Sequence, residues 1–302
     1  MKKFISRIVI FAVIIAAIDF SFGFVMDYMH DHSKGGGMAK RLYMAREAED
    51  EIMMFGSSRM NHHYNPMIIE DSLGLTCFNA GQDGCGILMS YGFLKMMLDR
   101  YSPKLVIYDI SVFDFVEDDN MKHISLLKPY YSDSLVREII TDVSPMDKYK
   151  MMSSMYKYNS LAVRVLGSFI SSSSEYQKGF LPLPNTMDYD VEVIEDSMPK
   201  VDETKLKYLR KFVDLCKEKN VPLVFALSPQ YKAKDSSFFT VIKSLTSELD
   251  VPFFDNFSNV NFCLNHNYFQ DQYHMNSKGA DEYTKYFVSK LRKCIDKNTE
   301  NR

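Results

Sequence analysis

Tryptophan is absent from this chain of 302 residues. Its aromatic weight lies instead in 22 phenylalanines and 19 tyrosines, which with 20 methionines can fill a core without signalling a ligand. A dominant charge is lacking as well. Lys plus Arg is 36 and Asp plus Glu is 39, leaving a formal net charge of −3. That balance offers no electrostatic footprint for nucleic acid. Cysteine is scarce and odd in number: Cys77, Cys85, Cys216, Cys263 and Cys294. Their spacing fits neither a disulfide framework nor a zinc site. Two readings remain, a late pair Cys263–Cys294 or small buried hydrophobes throughout. No His/Cys/Glu grouping has metal-ligand spacing, and no glycine-rich phosphate loop is present. No metal and no cofactor are therefore expected. Long apolar runs are missing beyond residue 30, which excludes a polytopic membrane protein. With 46% hydrophobic and 25% charged residues, the chain is neither disordered nor collagen-like.

The one long apolar run stands at the start. Ile8 to Ile18 carries no polar residue, Asp19 interrupts, and Phe20 to Met26 resumes. The stretch approaches the roughly 20 residues that a bilayer core needs. Lys2, Lys3 and Arg7 precede it, so an anchor would leave the N-terminus in the cytoplasm and everything after Met26 outside. An uncleaved signal anchor over 1–30 is the expectation. The alternatives are a cleaved signal peptide, which Ala16-Ala17-Ile18 suits poorly, and a buried helix. Asp19 is costly within a span, and water or a partner helix has to reach it.

Residues 31–50 read as a juxtamembrane segment. Ser33–Gly37, with three consecutive glycines, looks like a flexible linker, and Met38–Glu49 is helical. Strand and helix signals then alternate. Short apolar runs lie at Glu51–Phe55, Thr76–Asn79, Lys104–Tyr108, Val221–Leu227 and Val251–Phe254. Helical spacing lies at Ile87–Leu98. In Glu203–Lys219, Leu206, Leu209, Val213 and Cys216 share a face, and Asp202 is a suitable N-cap. In Ser236–Leu249, Phe238, Ile242, Leu245 and Leu249 share one. In Ser277–Ile295, Ala280, Tyr283, Phe287, Leu291 and Cys294 or Ile295 do. This alternation predicts an α/β three-layer sandwich with a central parallel sheet of about five strands. The sandwich would use 51–117 and 201–296, with ligands at the carboxyl ends of the strands. Residues 118–200 break the rhythm. With Ser171–Ser174 and prolines at 182, 184 and 199, they read as a partly helical insertion over the strand ends: a lid, a substrate platform or an assembly element. Residues 297–302 form a polar tail.

Two short motifs carry chemistry. Gly56-Ser57-Ser58-Arg59 follows the first strand, where a tight strand-to-helix turn exposes a hydroxyl and a helix N-terminus favours an oxyanion. It is not a G-x-S-x-G elbow, because Met60 stands where glycine would be. Asp271-Gln272-Tyr273-His274 lies between the last strand and the last helix. An Asp and His three apart can hydrogen-bond on one turn, the carboxylate holding Nδ1–H and leaving Nε2 as base. In a parallel sheet both turns open on the same crevice.

These residues resemble the SGNH (GDSL-type) esterases and acyltransferases. Gly56-Ser57-Ser58 is similar to the Gly-Asp-Ser block, with Ser57 in place of Asp. Asn79-Ala80-Gly81-Gln82-Asp83-Gly84 resembles the second block, and Asp271–His274 with Asn276, Gly279 and Ala280 resembles the fifth. The resemblance covers about residues 50 to 116 and 220 to 293. It implies Ser58 as nucleophile, His274 as base, Asp271 as its orienter, and the backbone N–H groups of Ser58 and Gly84 as oxyanion donors. The third block departs: Phe113, in Asp109–Asp114, stands where an asparagine donor is usual. A Gly-Ser-Ser turn behind an N-terminal anchor also resembles the D-alanyl-transfer protein group of Gram-positive envelopes. That likeness implies a single-pass, extracytoplasmic enzyme of the cell membrane acting on acylated envelope glycans, with a membrane acyltransferase as possible partner.

Arg59 could meet an anionic substrate or pair with a nearby carboxylate. Asp114 could shape the pocket or cap a helix, and Gln230, after Ser228-Pro229, could line the pocket. His62 and His63, adjacent on a helix, are expected to face apart. The competing function is a catalytically degenerate module of the same fold that binds a glycan or assembles an envelope acylation system.

Overall fold

The computed structural model describes residues 1–172, 176–191 and 200–300, with side chains up to residue 292. In chain order the elements are α1 (Lys2–Asp31), α2 (Gly36–Arg46), β1 (Ile52–Gly56), α3 (Ser58–His63), α4 (Pro66–Leu73), β2 (Cys77–Asn79), α5 (Ile87–Leu98) and β3 (Leu105–Asp109). Five helices follow: α6 (Asn120–Ile124), α7 (Ser134–Val143), α8 (Asp147–Lys150), α9 (Ser154–Tyr158) and α10 (Ala162–Ile170). The chain ends with α11 (Glu203–Glu218), β4 (Leu223–Leu227), α12 (Thr240–Glu248), β5 (Phe253–Asp255), α13 (Val260–Cys263) and α14 (Ser277–Glu300). They fall into two compact units, one of Met1–Leu42 with Ile124–Ser174, the other of Tyr43–His123 with Glu175–Arg302.

The second unit holds the expected sheet. Its five strands run parallel in the order β2-β1-β3-β4-β5. β1, β3 and β4 are buried at every position, as continuous apolar strands covered on both faces must be. Ile52, Met54, Ile107 and Val224 pack one face against Tyr283, Phe287 and other core residues of that side. The other face is aromatic: Phe212 of α11 meets Phe55 at 5.9 Å and Tyr108 at 5.0 Å between ring centroids. From β1 the chain moves one way to β2 and the other way to β3. That reversal opens a crevice outside the carboxyl ends of β1 and β3.

The strand boundaries differ slightly from the sequence reading for identifiable reasons. β4 and β5 start after Pro222 and Pro252, which have no N–H to give to a ladder. Gly56 belongs to β1, paired with Asp109. In the α12 region a 3₁₀ turn at Ser237–Phe239 shifts the apolar stripe by one residue. Phe239, Ile242 and Leu245 are buried, while Phe238 and Leu249 are only half-buried. α11 is capped by Asp202 as expected, its carboxylate accepting from Thr204 N and Lys205 N. Of its expected face Leu209, Val213 and Cys216 are buried and Leu206 is only half-buried, while the buried face also takes in Tyr208, Phe212 and Lys205, whose Nζ bonds Val116 O and Asp118. Ala280, Tyr283, Phe287 and Leu291 of α14 are buried; the side chains of Cys294 and Ile295 lie outside the described residues. Cys77, Cys85, Cys216 and Cys263 are buried thiols, as in the small-hydrophobe reading.

The insertion leaves and re-enters the sheet unit through a bridge between Val116 and Val201. Residues 176–187 stay in the sheet unit as an extended strap, with Lys178 O accepting from Asn79 N and Leu181 N donating to Asn61 O. Ser173, Ser174 and Pro199 lie outside the described residues. In the other unit α1 is 30 residues long, and it is long and apolar enough to cross a membrane. The expected flexible linker is instead hydrogen-bonded: Lys34 N and Gly35 N both donate to Ser168 O, and Gly36 already opens α2. Asp19 is met by its own chain. It accepts from Ser153 Oγ, Ser154 N and Met155 N of its own chain.

Candidate active site

Gly56 makes the turn possible. Its φ is +149°, and a Cβ there would stand 2.7 Å from Asp109 O. The chain passes over the end of β3 and enters α3 directly, so Ser58 is the first helical residue and stays partly exposed. α3 is only six residues long, so the Ser58 turn has little helix dipole behind it. Gly81 lets the next loop close on α3: a Cβ there would lie 2.4 Å from Asn61 N. Asn79 fastens the same place, its Nδ2 donating to Met60 O and Tyr64 O.

The second motif arrives from the far end of the sheet. A bridge between Phe269 and Met275 folds residues 270–274 into a tight turn, with Gln270 N donating to His274 O at 2.9 Å. Asp271 accepts from Tyr273 N and His274 N, which orients its carboxylate toward the imidazole. His274 Nδ1 lies 2.9 Å from Asp271 Oδ2, and His274 Nε2 lies 2.8 Å from Ser58 Oγ. The three expected residues, separated by 216 positions at the widest contact, therefore form one hydrogen-bonded chain. Burial pushes the Asp271 carboxyl up, but the His274 bond, its charge and the two backbone donors outweigh this and hold the carboxyl below its ordinary value.

Gly84 sits in the loop beside this chain, exposed and with φ +66°. The loop is fixed by Gln82 N donating to Gly56 O and by Asn61 Nδ2 donating to Asp83 Oδ1. The Phe113 carbonyl packs against Gly86, where a Cβ would stand 2.6 Å away. The third-block segment thus adjoins the second-block loop. The Phe113 side chain meets the His123 ring, tilted at 49° with 5.3 Å between centroids.

The expected pocket residues divide. Arg59 is buried, donates to Ser228 Oγ at 3.1 Å, approaches Asp109 at 3.9 Å and covers Phe257; of its two expected roles, the carboxylate partner is the one its contacts serve. Asp114 is fully buried as a cap, accepting from Ser111 N, Ser111 Oγ and Tyr108 OH. It shapes the turn after β3. Burial pushes its carboxyl up despite those donors. Gln230 bonds Phe257 O through its backbone N–H.

Sequence reasoning missed both histidines of α3. His62 and His63 do not face apart with respect to the site: their rings lie 5.5 Å and 6.5 Å from the His274 ring. α3 is so short, and the 270–275 turn so close to its end, that both can touch the turn. His62 Nδ1 meets Leu181 O of the strap at 2.7 Å, and its Nε2 lies 3.1 Å from Asp83. His63 is fully buried; its Nε2 accepts the Met275 N–H and its Nδ1 meets Ser228 Oγ. Ser228 in turn donates to Asp109 at the end of β3. The available signal was Ser228 directly after an apolar strand, at the same sheet edge as Asp109.

No protein-family model and no curated protein matches the chain by sequence. Among solved structures it is similar to a protein described as a lipolytic protein of the G-D-S-L family from Desulfitobacterium hafniense, at 10% identity and TM-score 0.42, over 79% of this chain and 98% of that one. It is also similar to a structure described as a platelet activating factor from Streptococcus pneumonia, at 10% identity and TM-score 0.41, over 93% and 99%. These are likenesses of chain course, and the chemistry of the site rests on its own geometry.

Proposed function

We propose that the chain is an SGNH-type serine hydrolase acting on ester bonds, tethered to the membrane by α1. The observation that carries this reading is the continuous Ser58–His274–Asp271 chain at the carboxyl-end crevice. His274 Nε2 takes the Ser58 proton as Oγ attacks an ester carbonyl, and Asp271 holds the imidazolium that results. The oxyanion is met by the Ser58 and Gly84 N–H groups. Collapse passes the proton to the departing alcohol and leaves an acyl-Ser58. A water, or the hydroxyl of a second substrate, then receives the acyl group by the reverse path.

The finer reading is a cell-membrane enzyme whose sheet unit is extracytoplasmic, acting as esterase or O-acyltransferase on acyl, and specifically acetyl, esters of envelope glycans. It is supported by the basic residues before α1 and by the resemblance to the envelope acyl-transfer group. A fluorophosphonate probe tests the chemistry: it should label the wild type at Ser58, and neither Ser58→Ala nor His274→Ala. One observation favours a second reading. Phe113 brings no side-chain amide to the crevice, as a binding module with relaxed catalytic demand would allow. Absence of labelling on the folded wild type would establish that alternative over the hydrolase.

A further inference from the structure

Asp19, Gly23 and Asp27 stand four residues apart and so form one stripe along α1. All three meet α9. Asp19 accepts from the backbone N–H groups of Ser154 and Met155, at the start of that helix. Asp27 meets Lys157 Nζ and Tyr158 OH at its other end. Between them Gly23 admits close contact: a Cβ there would stand 2.2 Å from Ser154 Oγ. α9 therefore runs beside α1 in the same direction, held at both ends.

This seam has a consequence for depth. Asp19 lies seven residues inside the end of the apolar run at Met26, about 10 Å along a helix axis. If α1 spans a bilayer, the start of α9 travels inward with Asp19, because that carboxylate's three partners are all there. A polar surface could not follow it. The surface there is apolar: Met152 is 82% exposed, and Met155 is exposed beside it. α10, which also packs on α1, has Arg164 as its single charge. Its inner face buries Val165, while Val163, Leu166 and Ile170, on the opposite side, are exposed. A helix apolar on both faces, one face already packed on a membrane-type helix, needs a second apolar medium. Phe20 and Phe24 of α1 are likewise apolar and exposed. Lys148 and Lys150 lie at the preceding turn, Lys148 over the Tyr149 ring, which suits a phospholipid headgroup layer.

We infer that α9 and α10 lie in the bilayer interface next to α1, so that the insertion is a second membrane contact whose partner is the phospholipid surface. This rests on the reading of α1 as a membrane anchor. The lack of tryptophan supplies a clean test on the full chain reconstituted in phosphatidylcholine–phosphatidylglycerol vesicles. Single variants Val163→Trp, Ile170→Trp and Phe11→Trp each introduce one reporter at an exposed position. Lipids brominated near the carbonyl end of the acyl chain should remove most of the emission at 163 and 170, with a blue shift. Position 11, three residues or about 4.5 Å inside Ile8, should be quenched by the same lipids in the opposite leaflet. Quenching at 11 with unquenched, water-like emission at both 163 and 170 overturns the inference and leaves the anchor standing. Loss of quenching at 11 overturns the anchor and the inference together.

Discussion

Ser58, His274 and Asp271 use the same three residue types as Ser228, His63 and Asp109, and the two imidazoles lie 6.5 Å apart. Their wiring differs. In the first set the histidine stands between serine and aspartate, so Nε2 is free to receive the hydroxyl proton. In the second the serine stands between. Ser228 gives its hydrogen to Asp109, His63 Nδ1 donates to Ser228, and His63 Nε2 is occupied by the Met275 N–H. Every proton there is committed and the serine is fully buried. On the proposed reading, order of connection and exposure, more than residue composition, separate the nucleophile Ser58 from the structural Ser228. The buried set also holds the residue after His274, so it positions the reactive set through the backbone.

The largest effects should fall on the two serines, in opposite properties. Ser58→Ala should lower hydrolysis of a short acyl ester by about four to six orders of magnitude, with an unchanged thermal midpoint. Ser228→Ala should retain probe labelling while losing about 1 to 3 kcal/mol of stability, because Asp109 and Arg59 each lose a buried partner. Measured rates and melting curves that show the reverse pattern would exchange the roles of the two sets. Asp271→Asn should follow Ser58→Ala at about a ten-thousandfold loss, since an amide cannot hold the productive tautomer.

The histidines sharpen the contrast at the next level. His63→Phe keeps the ring's bulk but leaves Met275 N–H without its acceptor, at a cost of about 1 to 3 kcal/mol. If His63 acts through the turn, kcat should fall about tenfold or more with little change in KM, a displacement of the base by a fraction of an ångström being enough. An unchanged kcat would confine His63 to stability.

The aspartates separate by pH. Burial pushes the Asp109 carboxyl up to about 6, against the Arg59 charge and its hydrogen-bond donors. The folded chain then binds more protons than the unfolded one between about pH 4 and 6, so stability falls as pH rises through that window and levels off above it. Asp271 has the opposite sign. Its folded value is below 3.8, so its contribution is complete above that pH and is lost as pH falls through the folded value. Asp109→Asn should flatten the decline in thermal midpoint between about pH 4 and 6. Persistence of the full decline would assign it to another group.

Much of this was legible before any coordinates. Five parallel strands, the extent of α5, the buried face of α14 and the Ser58–Asp271–His274 constellation all follow from local patterns: apolar runs, helical spacing, and two motifs at strand ends. What escaped was set by packing between distant segments. Adjacency of His62 and His63 argues for opposite faces on a long helix, but α3 is six residues, and the 270–275 turn spans its end. Asp19 gives no local sign of its partner 134 residues away. The flexible reading of Ser33–Gly37 failed because glycine describes freedom in the unfolded chain, while Ser168 supplies the acceptor that removes it.

Phe113 offers the smallest and most discriminating change. On the proposed reading the Ser58 set relies on two backbone donors for an oxyanion, and at this position it has an aromatic ring in place of an amide. The Phe113 main chain already touches Gly86, so the position adjoins the loop that carries Gly84. Phe113→Asn exchanges ring contact with His123 for a polar group, and for a half-buried ring that costs about 1 to 2 kcal/mol. If the new amide turns toward the crevice, a third donor holds the tetrahedral intermediate more tightly, and kcat on a small ester should rise about tenfold, well short of the hundredfold or more that removing a preorganised donor costs. A paired measurement of kcat and thermal midpoint checks it: higher rate with lower midpoint supports the two-donor hole. A lower rate in a folded variant shows that the ring belongs to the substrate's binding surface and that another group already donates.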